Sequence, residues 1–255
     1  MPQSTQTTHP SESKLILTFT EDDHSYVDNL GRSYTSVTSL VHDQFPEFDE
    51  QTVALRMAQK KGLGQTEADA LIESWHAKRD AACIYGTRVH EKGEFYLTNG
   101  LHGADHDPRD YKENIAFKAI QAAVFNLQQQ FELIACELKL FSPKYLVAGT
   151  ADLLMRARGG SYLLLDWKTN EDISDDSWGN GVGLCQGIPD NNKGHYSLQL
   201  SIYEHLLRSE GHIPMDADVQ RAIMWIQPFS SRPQWIPLPF RQQANAILAM
   251  RIIEN

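Results

Sequence analysis

The chain has 255 residues, a hydrophobic fraction of 41% and a formal net charge of −10 at pH 7. This length and composition fit one large globular domain, or one domain with an insertion, and no apolar run is long enough to span a membrane. The acidic balance argues against a general polyanion binder, because such proteins attract their partners through a basic surface.

The N-terminal residues 1–13 are rich in Ser, Thr and Gln and contain no apolar run. They are predicted to be a disordered tail and not a secretory signal, and residues 14–255 are predicted to form a single domain. The three cysteines, Cys83, Cys136 and Cys185, are far apart and form no C-x-x-C pair. This pattern predicts reduced thiols in the cytoplasm, with no disulfide framework, structural zinc or iron–sulfur cluster.

The first half of the chain combines a small β-hairpin with a helical insertion. Residues 14–19 and 33–41 are rich in β-formers and flank a turn, which predicts the hairpin. Helical spacing follows in three segments, 51–61, 66–97 and 111–130. In the second segment Thr66 is the expected N-cap, and Gly86 is expected to divide the helix in two.

The second half is richer in strands. Strands are predicted over 131–141, 146–156, 162–167, 219–227 and 234–238. Helices are predicted over 196–209 and 240–253, and a long acidic loop over 171–193. Helices, then a β-meander, then a further helix and strands are typical of an α/β or α+β domain.

Two carboxylates and a lysine at the ends of neighbouring strands form the candidate catalytic group. An apolar strand leads into Asp166 and Lys168, which alternation puts on one face, and Asp152 lies one hairpin away. Carboxylates brought together repel unless a divalent cation holds them, and oxygen ligands suit Mg²⁺ or Mn²⁺. Such an ion activates water and polarises a phosphate, while Lys168 orients that water or stabilises the developing charge. The alternative is an ordinary surface Asp–Lys pair, since D-x-K alone is common.

Two helical motifs add candidate residues. His90 follows Gly86 within the second helical segment and offers either a nitrogen ligand or a DNA contact; the alternative is a structural histidine. His195, Gln199 and Tyr203 are spaced four apart on one face of a later helix. Their polar side chains suit phosphate or backbone contacts, although an ordinary amphipathic helix gives the same spacing.

Taken together, these motifs resemble the RecB-like branch of the PD-(D/E)XK nuclease superfamily, including its phage and mitochondrial exonucleases. The similarity spans residues 34–203. The matching elements, in family order, are G-T-x-x-H at Gly86 to His90, an acidic residue at Glu137, G-x-x-D at Gly149 to Asp152, D-x-K at Asp166 to Lys168, and Q-x-x-x-Y at Gln199 to Tyr203.

The resemblance implies a restriction-endonuclease-like core, in which helices flank a central mixed β-sheet. It implies Asp152, Asp166 and Lys168 as catalytic residues. The metal ligands that it implies are His90, Asp152, Asp166 and the backbone carbonyl of Trp167. The residues that it implies as supporting the site or contacting DNA are Gln199, Tyr203, Glu137, Thr87 and Arg88. The four-cysteine cluster of the iron–sulfur members is absent, so no cluster is expected.

The function implied is that of a Mg²⁺-dependent DNA exonuclease in phage-type recombination, replication or repair, with Mn²⁺ as the alternative ion. The sequence contains no P-loop and therefore no helicase motor. A stand-alone enzyme acting on ends or single strands fits this absence, and so does a subunit that acts with a recombinase or a single-strand-binding protein. The alternatives are a structure-specific or restriction-type endonuclease, a catalytically silent DNA-binding module, and an unrelated acidic α/β protein.

Overall fold

The computed structural model of the protein describes residues 4–20, 25–101, 107–177 and 179–252. The strands within these ranges are β1 Ser4–Thr8, β2 Ile16–Thr20, β3 Ser25–Asp28, β4 Ser33–Ser36, β5 Phe131–Ser142, β6 Val147–Ala157, β7 Tyr162–Lys168, β8 Val219–Trp225 and β9 Gln234–Pro237. The helices are α1 Val37–His42, α2 Glu50–Lys60, α3 Gln65–Asn99, α4 Tyr111–Gln130, α5 Asn192–Ser209 and α6 Gln243–Ala249, with a 3₁₀ turn at Gly183–Cys185. In these same ranges no helix is long and apolar enough to cross a membrane.

All of the described strands belong to one mixed sheet, which confirms the predicted α/β class with helices around a central sheet. Strands β1 to β4 form an antiparallel meander, and β4 then pairs in parallel with β6. Strand β6 pairs antiparallel with β7, β7 pairs in parallel with β8, and β9 closes the far edge. Strand β5 runs antiparallel along the whole of the other side of β6.

The sheet forks along β6, and this fork positions the candidate site. On the edge that β5 leaves open, β4 pairs only with Val147 and Ala148. Strand β7 pairs on that same edge, but only from Leu153 to Arg156. Among the described strands, none pairs with residues 149–152 on this edge. This segment of β6 therefore has no described strand partner on that edge, while β5 still holds β6 in place.

Helices cover both faces of the sheet and create two apolar cores. Leu164 of β7 packs into the core formed with α1, α5 and α6. Its neighbours Leu163 and Leu165 pack into the opposite core, formed with α3 and α4. Because successive strand residues point to opposite faces, Asp166 and Lys168 lie with Leu164 on the face of the sheet that α5 covers.

Capping side chains fix where several helices begin. Ser36 caps α1 by accepting a hydrogen bond from the Ser39 N–H, and Asp110 caps α4 in the same way through the Glu113 N–H. At α5, the side chain of Asn191 accepts from the Gly194 N–H. This cap sets the direction of the helix that carries Gln199 and Tyr203.

The predicted disordered tail over 1–13 is wrong for the part that the structure describes. Residues Ser4–Thr8 form β1, an outer strand paired with β2. His9 is buried, and its Nε2 lies 2.9 Å from Glu210 Oε2 at the end of α5. The polar, threonine-rich composition that suggested disorder also suits an edge strand with a solvated face. Residues 1–3 lie outside the described ranges.

Four boundary predictions also need correction. The strand predicted over 33–41 ends at Ser36, because the Ser36 cap starts α1 at Val37. Gly86 does not divide a helix, since α3 is continuous, and its N-cap is Gly64 and not Thr66. The Glu67 carboxylate accepts from the Gly64 N–H at 3.0 Å, which satisfies one of the free donors at this end. The last helix occupies Gln243–Ala249, inside the predicted 240–253.

Candidate metal centre

Asp152 and Asp166 face each other at the point where β6 and β7 separate. Their strands pair with Leu153 opposite Leu165, so the next opposed position in the same register is Asp152 with Asp166. The strand ladder stops there. Asp152 Oδ2 instead accepts a hydrogen bond from the Trp167 N–H at 2.9 Å, so the side chain replaces a backbone partner. The hairpin predicted to bring these two carboxylates together is confirmed.

His90 of α3 brings an imidazole nitrogen beside these carboxylates, where the three residues could hold a metal ion. Its Nδ1 lies 3.2 Å from Asp152 Oδ2. Ligand atoms of His90, Asp152 and Asp166 all lie within 4.8 Å of one another, a spacing that one metal ion can bridge. The His90 side chain is 28% exposed, whereas those of Asp152 and Asp166 are 12% and 4% exposed. The cluster therefore opens to solvent on the His90 side.

Lys168 completes the group of predicted catalytic residues. Its Nζ lies 2.6 Å from Asp166 Oδ2, and the ammonium sits over the ring of Tyr196 at 4.6 Å from the centroid. The Tyr196 hydroxyl donates to Asn170 Oδ1 at 2.7 Å. Lys168 is thus held between a carboxylate and an aromatic face.

Burial and mutual charge set the protonation of the cluster. Burial raises the pKa of Asp152 well above its usual range, and repulsion from Asp166 adds to this rise. Burial also acts against ionised Asp166, but the charge of Lys168 and hydrogen bonds from Asp152 and Lys168 together outweigh it and lower the pKa of Asp166. Burial and the charge of Lys168 lower the pKa of His90 to about 4, so the ring is neutral at neutral pH. A neutral imidazole has a nitrogen lone pair to offer a metal.

The donor set fits a divalent cation. Asp166 is almost fully buried, and its Oδ2 lies 2.6 Å from the Lys168 ammonium. One ammonium cannot balance two buried carboxylates, and a divalent ion would compensate the remaining charge. Two carboxylates and one imidazole suit Mg²⁺ or Mn²⁺, although the set does not by itself identify the ion.

The carbonyl of Trp167 also faces this cluster. It accepts from the His90 ring, an interaction that acts to raise the pKa of the imidazole. Helix α3 passes close to the Trp167 side chain at Gly93, where an added Cβ would lie 3.0 Å from the indole ring. This close approach places His90 beside the end of β7. The predicted role of the carbonyl as a metal ligand stays a prediction.

Glu137 lies next to the cluster on β5. Its backbone adopts φ +47°, in the left-handed region, between positions that pair with either side of Asp152. Burial raises the pKa of Glu137, and the charges of Glu94 and Asp166 raise it further. Glu137 is therefore an acidic neighbour of the cluster, as predicted from the sequence.

Gln199 and Tyr203 project from α5 toward the fork in β6. Tyr203 is buried, and a Cβ added at Gly149 would lie 2.8 Å from its hydroxyl oxygen. The half-buried Gln199 acts on the Tyr203 hydroxyl through a side-chain hydrogen bond that opposes the rise of the Tyr203 pKa caused by burial. Tyr203 packs against β6 close to the cluster, with Gln199 bonded to it. A DNA contact by Gln199 stays a prediction.

Arg88, predicted to support the site or contact DNA, forms an ion pair between two helices, and a DNA contact by it stays a prediction. Its guanidinium is buried and makes two bonds to the Glu113 carboxylate, at 2.7 and 2.9 Å, and a third to the Asp107 carbonyl. Arg88 thereby joins α3 to α4. Thr87 is exposed, and its hydroxyl donates to the Cys83 carbonyl within the same helix. Neither residue belongs to the cluster around Asp152.

His195, Gln199 and Tyr203 were predicted to share one polar face of α5, but His195 lies in a different environment from the other two. His195 stacks on Phe45 at 3.7 Å and bonds to Asp190, away from the cluster. Tyr196, its neighbour, is the residue that contacts Lys168. Tyr196 was missed in the sequence, although its spacing of three and seven residues from Gln199 and Tyr203 is that of a single helix face.

No protein-family model and no curated protein matches this sequence. Among solved structures, the one described as the crystal structure of SSO0001 is 14% identical over 66% of this chain and 84% of its own, with a TM-score of 0.25. At that TM-score the likeness supports no conclusion about fold or function.

Proposed function

We propose that this protein is a metal-dependent DNA nuclease with a restriction-endonuclease-like core, and that it acts as an exonuclease. The observation that carries the proposal is the opposition of Asp152 and Asp166 at the sheet fork, with His90 beside them and Lys168 on the same strand. Metal-dependent phosphodiester hydrolysis needs such a set. The proposal goes beyond an isolated D-x-K because ligand atoms of His90, Asp152 and Asp166 all lie within 4.8 Å of one another.

The chain's own groups divide the work. His90, Asp152 and Asp166 would hold a divalent ion, with the Trp167 carbonyl as a further ligand. Such an ion polarises a bound phosphodiester and lowers the pKa of water. Lys168 remains protonated: burial opposes its charge, but Asp166 and Asp152 outweigh burial and raise its pKa. Its ammonium is therefore suited to bind a phosphoryl oxygen and stabilise the charge that develops there.

The exonuclease assignment, Mg²⁺ as the ion and a place in phage-type recombination or repair rest on the resemblance of the five ordered motifs. The partners that they suggest are DNA ends or single strands, with a recombinase or a single-strand-binding protein as a second partner. The negative net charge requires that DNA binding rely on local cations at the site.

The test is digestion of end-labelled linear DNA and closed circular DNA with Mg²⁺ or Mn²⁺. We expect loss of linear DNA only, and none with Asp166→Ala. The control is Glu132→Gln, which removes an exposed carboxylate elsewhere on β5. Cleavage of circles would favour the endonuclease. Equal digestion by Asp166→Ala and wild-type protein would overturn the site, and absence of digestion under every condition would overturn the nuclease.

A further inference from the structure

A second lysine lies beside the metal centre, on the strand that holds β6 from behind. Lys139 of β5 pairs with Thr150 of β6, two residues before Asp152. Its Nζ donates to Thr150 Oγ1 at 3.1 Å. The ammonium is thus attached to the segment of β6 that borders the fork.

The described groups around Lys139 contact its ammonium, but none forms an ion pair with it. Its Nζ lies 5.6 Å from the ring centroid of Phe19, which stacks on Tyr26 at 4.7 Å. Within the described ranges no carboxylate oxygen lies within 4.0 Å of this Nζ. Glu137 lies close enough for the lysine to act on its pKa, but forms no ion pair with it. By contrast, Lys168 is paired directly with Asp166.

A half-buried ammonium that forms no ion pair within the described residues is a candidate position for an anionic ligand. Of its three donors, Thr150 takes one and the face of Phe19 shields one side. Partly desolvated cations gain most from an anionic ligand, because the bond that they form is charge-assisted. The chain has a net charge of −10, so the proposed binding of DNA needs local cations, and Lys139 next to the acidic cluster is one such cation.

We infer that Lys139, held in place by Thr150, provides a subsite for a second phosphate of the substrate strand, next to the phosphate that a metal ion at Asp152 and Asp166 would bind. This inference rests on the proposed nuclease function. Two strand residues, or about 7 Å, separate Thr150 from Asp152. A nucleic-acid strand with one phosphate at Asp152 therefore brings a neighbouring phosphate within reach of the long side chain of Lys139.

The test measures binding without turnover. A short fluorescent single-stranded oligonucleotide is titrated by anisotropy, with Ca²⁺ in place of Mg²⁺, against wild-type protein, Lys139→Gln and Lys139→Arg. We expect Lys139→Gln to bind roughly tenfold more weakly. The slope of log K against log salt should fall by about 0.7 for loss of one phosphate contact to a single strand. Lys139→Arg should restore most of the binding.

Lys118→Gln is the matched control, because Lys118 is an exposed lysine on α4 and the same charge is removed. A second arm replaces single phosphodiesters of the oligonucleotide by neutral methylphosphonates. One linkage beside the cleaved bond should weaken binding to wild-type protein and have no effect on Lys139→Gln. Equal binding by Lys139→Gln and Lys118→Gln, or an undiminished methylphosphonate effect in Lys139→Gln, would overturn the subsite.

These outcomes separate the subsite from the nuclease proposal. If wild-type protein digests DNA and Lys139→Gln behaves as Lys118→Gln, the nuclease stands and the subsite is wrong. If wild-type protein never digests DNA, the nuclease is wrong, and the anisotropy comparison alone decides whether Lys139 binds a phosphate. Thermal unfolding of each variant checks that the fold is intact.

Discussion

Asp152 and Asp166 are opposed residues on paired strands, and the backbone ladder between those strands stops where they meet. In place of the missing ladder bond, the Asp152 carboxylate accepts from the Trp167 N–H. The fold therefore brings the two acids together through strand register, and their separation does not depend on flexible side chains. Metal binding should depend on this arrangement.

Metal binding should stabilise the protein through these two acids. A ligand that binds only the folded state at 100 times its Kd adds about 2.7 kcal/mol, which for a chain of this length raises Tm by roughly 5–10 °C. We expect that rise with Mn²⁺ or Mg²⁺ in thermal unfolding of wild-type protein. Asp152→Asn should lose it while keeping its metal-free Tm, because Asn retains an oxygen that can accept from Trp167.

Glu132→Gln on the exposed side of β5 should respond to the metal as wild-type protein does. A full metal-induced rise of Tm in Asp152→Asn would show that the ion binds elsewhere.

Gly149 should tolerate no side chain. An added Cβ would lie 2.8 Å from Cε1 and from the hydroxyl oxygen of Tyr203, and 3.2 Å from Val37 Cγ2. Because Tyr203 is buried in the core, it has no free space into which to move. Gly149→Ala should therefore lower the free energy of unfolding by about 1–3 kcal/mol, measured in urea.

The comparison is Gly159→Ala, where an added Cβ meets no atom within 4 Å. It should leave stability unchanged or raise it slightly, since Ala restricts the unfolded chain. Equal effects at both glycines would contradict the packing of Tyr203 on β6.

The buried pair of Arg88 and Glu113 should make the protein sensitive to acid. Burial acts to raise the pKa of Glu113, but the bonds from Arg88 and from the Arg109 N–H outweigh it and lower that pKa below 4.5. A depressed pKa adds stability above the unfolded-state value, and this stability is lost as pH falls through the folded-state value. The free energy of unfolding should thus decline below about pH 4.5.

Glu113→Gln should show a smaller decline over that range when unfolding is followed by circular dichroism at several pH values. At pH 7 it should be less stable by about 3 kcal/mol, because it removes the charged partner that bonds to the buried Arg88 at 2.7 and 2.9 Å. Glu91→Gln, on the exposed side of α3, should keep the wild-type pH dependence. A pH profile of Glu113→Gln parallel to that of wild-type protein would rule out this pair as the source.

Tyr196 should position Lys168 and not bind DNA itself. If the protein digests DNA, Tyr196→Leu removes the aromatic face under the ammonium and should lower kcat by roughly tenfold, because a desolvated cation–π contact contributes up to about 2 kcal/mol. The Kd for DNA should change little. Tyr196→Phe keeps the ring and loses only the bond to Asn170, so its kcat should stay near that of wild-type protein.

A purely structural role of Tyr196 would instead lower Tm in both variants and leave the kcat of the folded protein unaltered. Measuring kcat, Kd and Tm on the same samples distinguishes the two roles.

The arrangement of Asp152, Asp166 and Lys168 was predictable because it depends on local rules. Alternation fixed the common face of Asp166 and Lys168, and a short hairpin fixed the opposition of Asp152. The helical motif gave His90 as a candidate ligand, but its position beside Asp152 was implied only by the resemblance, because α3 meets β7 through a contact distant in sequence. Tyr196 was hidden for the same reason, since its partner Lys168 lies on another element.

The errors share a physical cause. Ser4–Thr8 becomes a strand only because β2 offers an edge to pair with, and composition does not reveal that partner. The link between Arg88 and Glu113 was not predicted for the same reason, because the two residues lie 25 positions apart in the sequence. Gly86 costs an exposed helix about 1 kcal/mol, a penalty that the packing of a long helix easily offsets. Its small size is used where Thr169 lies 3.4 Å from the position of an added Cβ.

Helix α3 is continuous from Gln65 to Asn99 and is therefore one rigid element. Thirty-five residues form a rod of about 52 Å, and bending such a rod requires distortion of its backbone hydrogen bonds. Helix α2 holds the first third of this rod at Ala68 and Ile72. His90 lies 18 residues beyond Ile72, or about 27 Å along the same axis. Because one continuous helix contacts both α2 and β7, the position of His90 relative to the two carboxylates depends on the packing of α3 against Trp167 at Gly93.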